Sequence, residues 1–130
     1  DKHEARIYRV ADLSARSRPA IVGGRGDERL SGLRSEMRFN MVMAASASHG
    51  SLFLADSGNH RVLVWRRIED AIAGKDADLY LGAEDGRECR PGTTRDQLSS
   101  PAGLSFDGNY LWIGERKFSE RLLRFSPIAK

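Results

Sequence analysis

The stretch ADSGNHRVLVW, residues 55–65, sets an acid, an amide, an imidazole and a guanidinium (Asp56, Asn59, His60 and Arg61) directly ahead of an apolar run. Two readings compete for it: a small reactive cluster, or a tight turn leading into a β-strand. Gly58 and Asn59 favour the turn, because both tolerate the positive φ that tight connections between strands demand. The flanking residues agree. SLFLAD (51–56) reads as the strand before the turn and HRVLVWR (60–66) as the strand after it. MVMAASA (41–47), turned by Ser48, His49 and Gly50, precedes them, and ADLYLG (77–82) follows as a fourth strand. IEDAIAGKDA, between the last two, is long enough for one helical turn.

The same pattern recurs along the chain. Residues 23 to 56 lie over residues 82 to 115 without gaps, matching Gly23 to Gly82, Phe39 to Leu98, Leu52 to Leu111 and Asp56 to Glu115. With one insertion HRVLVW (60–65) continues onto ERLLRF (120–125); backward, PAIVGG (19–24) faces DLYLGA (78–83), and ARIYRV (5–10) is an earlier copy of the third strand. The unit is therefore an all-β repeat of four short antiparallel strands, the description of a β-propeller blade. Its period exceeds the ~40–50 residues usual for such repeats, and the excess lies in the connections of residues 23–38 and 82–97.

DSGNHRV, preceded by LFLA and followed by LVW, resembles the signature of the NHL-repeat β-propeller family, with Asn59-His60-Arg61 in place of the family's Asn-His-Leu. SPAGLSFDGNYLWIGE (100–115) is similar to the first two strands of that repeat, with a Pro-x-Gly opening and an Asp-Gly turn. The resemblance implies propeller blades: the last two strands of one over 1–24, a complete blade over 39–83, and the first three strands of the next over 100–126. Closed propellers have about four to eight blades, so this chain holds part of one. The remaining blades come either from a longer chain or from identical chains closing a ring.

Composition narrows the function classes. A length of 130 residues with 40% hydrophobic and 30% charged side chains suits one globular domain. The segment around 41–47 falls far short of the roughly 20 apolar residues that span a membrane. DKHEARIYRV carries no signal-peptide pattern, and an initial Asp in place of Met implies processing or truncation upstream; the compartment is not legible. The net charge of +3 comes from 21 basic and 18 acidic residues mixed along the chain, which disfavours nucleic acid as a partner. Cys89, alone in a polar loop, is read as an incidental thiol.

A carboxylate and an arginine that recur in each copy, Asp56 with Arg61 and Glu115 with Arg121, are expected to brace the turn rather than to react, with Asn59 forming it. The long connections are the better binding candidates. On the expected blade geometry Arg25, Asp27, Arg29, His60, Arg87, Arg116 and Lys117 share one rim, and Phe118 among them offers an aromatic contact. Trp65, Tyr80, Trp112, Phe125 and Tyr8 are read as packing residues between blades.

The resemblance raises an enzyme alternative, since peptidyl-hydroxyglycine amidating lyases of this fold bind zinc through channel histidines. One of these lies just ahead of strand three, as His60 does, but the chain has Ala102 after Pro101, where another is expected, and Glu120 where His60 would repeat. With only His3 and His49 besides, three imidazoles do not converge within one chain. No cofactor is therefore expected, zinc or calcium being the residual alternative. The expectation is a binding or scaffold module for a protein, peptide or small polar ligand. The alternative is a propeller lyase or hydrolase whose metal-assisted site is completed by missing blades or other subunits.

Overall fold

The computed structural model describes residues 5–8, 14, 16, 18, 20–23, 39–82, 90–116 and 119–126. These residues are mostly β, with nine strands in three antiparallel sheets and one short helix. β1 (Ala5–Ile7) pairs with β2 (Ala20–Gly23). The central sheet runs β3 (Val42–Ser48), β4 (Ser51–Asp56), β5 (Arg61–Trp65) and β6 (Leu79–Leu81) in that order. The last sheet is β7 (Pro101–Phe106), β8 (Leu111–Glu115) and β9 (Leu122–Phe125). Helix α1 (Ile68–Ile72) links β5 to β6, its first N–H donating to the Gly50 carbonyl at 2.8 Å.

β4 and β5 are apolar without interruption because the central sheet is covered on both sides. Since successive side chains alternate between faces, Leu52, Leu54, Leu63 and Trp65 build one core with Phe39, Ala71 and Ala77, against which Ala5 and Ile7 pack. Phe53, Ala55, Val62 and Val64 build the other with Leu98, Leu111 and Ile113. The three sheets thus stack in chain order. Phe39 and Leu98, matched in the repeat, each lead the chain into a core and are buried there.

The repeat is realised in backbone geometry. Bulges fall between Val42 and Ala44 and between Pro101 and Gly103. Left-handed φ values occur at Met41 (60°) and Ser100 (47°), at His49 (53°) and Gly108 (95°), and at His60 (53°) and Glu120 (49°). The Ser57 N–H donates to the Met41 carbonyl at 3.2 Å, as the Arg116 N–H does to the Ser100 carbonyl at 3.1 Å.

Three expectations need correction. The first concerns the 57–59 turn: Ser57–Asn59 form a 3-10 turn, and the left-handed residue is His60 rather than Gly58 or Asn59. Gly58 is needed for a different reason, because a Cβ there would meet Asn40 at 2.6 Å. The second concerns β1: the repeat would pair Ile7 with Val22, as Val62 pairs with Leu81, yet Ile7 pairs with Ala20 and Arg6 with Ile21, next to a bulge. A slip of two residues keeps Ile7 on its core-facing side, so the packing tolerates it. The third concerns the aromatics: Tyr8 is exposed, and Trp112 belongs to neither core. β8 and β9 turn their other faces, with Leu111, Ile113, Leu123 and Phe125, to the centre.

Candidate functional site

The turn after β4 is built around a buried carboxylate. Asp56 accepts from the Asn40 N–H at 2.7 Å, the Asn59 side-chain amide at 2.8 Å and Arg61 Nε at 2.8 Å. The pair is sealed from water, with Arg61 1% and Asp56 0% exposed. The Arg61 guanidinium also lies 5.7 Å from the Tyr80 ring centroid. Three donors around one carboxylate in a low-dielectric setting make charge-assisted hydrogen bonds that hold the incoming segment, the turn and β5 together.

Glu115 repeats the arrangement. It accepts from the Ser99 N–H at 2.8 Å, from the Ser119 hydroxyl and from Arg121 Nε at 2.8 Å. Burial pushes its carboxyl up, but the bonds from Arg121, Ser119 and Ser99, with the guanidinium charge, outweigh this and hold it below the usual range. Arg121 is more open than Arg61, at 25% exposure. Its other nitrogens donate to the carbonyls of Gly92, Thr93, Thr94 and Gln97, so the same side chain anchors the connection leading to β7.

His60 joins the two units. Its Nδ1 accepts from the Ser100 N–H at 3.0 Å, and the Ser100 carbonyl accepts from Arg116. A backbone amide can only donate, so the ring is neutral with its proton on Nε2. Burial lowers the His60 pKa against the opposing influence of Asp56. The joint is close-packed as well as bonded: Gly82 has φ +87°, and a Cβ there would meet the His60 carbonyl at 2.7 Å and Leu98 Cγ at 2.9 Å.

Of the residues expected to form the rim, the structure brings His60 and Arg116 to one neighbour, Ser100. Arg25, Asp27, Arg29, Arg87, Lys117 and Phe118 lie outside the described residues. The structure places Asp56, Asn59 and Arg61 in one cluster and Glu115 and Arg121 in the other. The expectation that His60 is the turn's open ligand position needs correction, since one ring nitrogen is committed to Ser100. Ser100 itself escaped sequence reading. Its only signal was its place before Pro101, a position biased to extended backbone and not to the left-handed φ it adopts.

Chemically, both carboxylates are saturated by the donors around them. Among the described residues no buried side-chain nitrogen or oxygen lacks a partner, and no group of three or more His, Cys, Asp or Glu converges as a metal site would require. No described helix is long and apolar enough to cross a membrane. No model of a known protein family matches the chain, and no curated protein matches it.

Proposed function

We propose that the chain is part of an NHL-like β-propeller, its sheets being successive blades, and that it works as a binding or scaffold module. The observation that carries this reading is the recurrence of one carboxylate–arginine brace per unit, each brace fully engaged with its own turn and lead-in segment. Reactive machinery is built once and left open toward a substrate; a group repeated in every unit and satisfied internally holds the scaffold. Residues outside the braces are then left to make contacts, and the charged connections of residues 24–38 and 83–97, with Arg116 beside the His60–Ser100 joint, present them to a protein, peptide or small polar ligand.

Amide chemical-shift mapping against a mixed-sequence acidic peptide library tests this. Shifts centred on Ser100 and Arg116 and on the two connections support the reading; shifts confined to the opposite turns at His49 and Asp107 contradict it. Metal analysis of the purified protein separates the enzyme alternative, because stoichiometric zinc or calcium would favour metal-assisted chemistry completed by further blades or subunits.

A further inference from the structure

The face of β7–β9 that points away from the central sheet has an internal reference. Strand pairing sets Ser105, Trp112 and Arg124 in one row across it and Gly103, Gly114 and Leu122 in the next. The repeat matches these rows to Ser46, Phe53 and Val64, and to Ala44, Ala55 and Val62, of the central sheet. There the same face is covered by the next unit, through Leu98, Leu111 and Ile113. Val62 is 0% exposed, whereas its counterpart Leu122 is 70% exposed. The edge differs in the same sense, since β5 carries β6 and β9 carries no further strand among the described residues.

The differences between the two faces run in one direction. Trp112 stands for Phe53 and Arg124 for Val64, with Tyr110 alongside: Trp, Tyr and Arg are the side chains enriched where separate proteins meet, in contrast to the aliphatic groups of a permanent core. The Arg124 guanidinium lies 4.6 Å from the Tyr110 ring centroid and 5.7 Å from that of Trp112, which gives the aromatic faces a polar cover while the sheet is free. Gly103 and Gly114 leave a trough beside them, where a Cβ on either would meet only the other glycine, at 3.9–4.0 Å.

We propose that this face docks a second copy of the chain, head to tail, against the outer side of that copy's β1–β2 sheet. Each sheet here is covered by the leading side of the unit that follows it, so the occupant must present such a side. The chain's own leading side is the outer side of β1–β2, where Arg6 and Tyr8 are exposed between and beyond the core-facing Ala5 and Ile7. Tyr8 meets Arg124, and Arg6 meets Trp112, with the same cation–aromatic chemistry at both contacts. Contacts between two different surfaces propagate until a ring closes. The proposal rests on reading the sheets as successive units of one stack.

Sedimentation of the full chain from about 1 µM to about 1 mM, the range of a modest specific interface, tests it with two variants. The wild type gains mass with concentration, and Leu122→Glu and Tyr8→Glu each weaken association about tenfold or more. An equimolar mixture of the two variants retains one intact pair of faces and forms a dimer and nothing larger. A wild type monomeric throughout, either variant assembling as the wild type does, or a mixture that stays monomeric overturns the proposal. Both positions are exposed, so circular dichroism should show both variants folded. A monomeric wild type that keeps the geometry of both units sinks the docking alone and leaves the reading of the fold standing.

Discussion

Replacing Asp56 with Ala should destabilise the chain far more than the matched change at Glu115, although both remove the carboxylate of a brace. At Asp56 the change strips the acceptor from three donors. Asn40 is exposed, so water takes over its share, but Asn59 and Arg61 are buried. A hydrogen bond to a charged group contributes about 1.5–3 kcal/mol, so two lost without replacement give about 3–6 kcal/mol. That range brackets the roughly 3–5 kcal/mol of severing a buried ion pair by removing one partner. At Glu115 the orphaned guanidinium is partly open to water and keeps the four carbonyls of residues 92–97. The main loss there is the Ser99 and Ser119 bonds, about 1–3 kcal/mol. Urea unfolding followed by circular dichroism measures both, and with a total stability of about 5–15 kcal/mol the first variant loses a third or more of its midpoint. Equal losses, or an Asp56→Ala change within about 1 kcal/mol of wild type, would refute the idea that sealing from water sets the strength of the brace. Replacing Asp56 and Arg61 together by Leu and Met should recover much of the loss, since no charge is then left buried.

The His60–Ser100 joint makes stability depend on pH. The His60 pKa is lowered in the fold from 6.5, so the unfolded chain binds more protons in this window and stability rises with pH. The contribution is fully present above pH 6.5 and falls away as pH drops below it through the folded value; urea midpoints for wild type and His60→Asn across that window should show the slope only in wild type. Glu115 gives a second limb, present above its unfolded value of 4.5 and lost as pH falls through the depressed folded one; it should be absent from Glu115→Gln. Gly82→Ala should cost about 3 kcal/mol or more, from a left-handed φ plus a collision with the His60 carbonyl and Leu98. Gly74→Ala, with φ +79° but open space around it, should cost only about 1–2 kcal/mol in the same thermal or urea assay. Leu98→Ala should cost about 2–5 kcal/mol and Phe39→Ala about 3–5 kcal/mol, and similar losses at the two would show that the repeat packs equivalently.

Strands were legible where burial imposed a pattern. β4 occupies the residues expected of it, and β5 falls one residue inside its expected span at each end, because polar turn residues bound an apolar run on either side. β6 is shorter than its expected span of 77–82, yet the Asp78 N–H donates to the Val64 carbonyl and its carboxylate accepts from the Arg66 N–H, so the chain is tied to β5 before regular pairing begins. The left-handed residues were not legible. Met41, His60, Ser100 and Glu120 are not the Gly or Asn that such backbone usually selects; the surrounding bonds and bulges hold them there instead. The bond between His60 and Ser100 spans 40 residues, and no local pattern encodes a contact between units at that distance. The carboxylate braces were legible as pairs because they recur in the sequence. Their third donors, the Asn40 and Ser99 amides, come from backbone and leave no trace in residue type.

The central claim is that residues 39–82 and 98–125 are two copies of one geometry. Cross-strand nuclear Overhauser contacts in solution test it most directly. The account predicts matched contacts in both units: Ala45 to Leu54 with Leu104 to Ile113, and Leu54 to Leu63 with Ile113 to Leu123. It also predicts contacts of Asn40 with Asp56 and of Ser99 with Glu115. A different register in either unit, or one brace formed without the other, would contradict it.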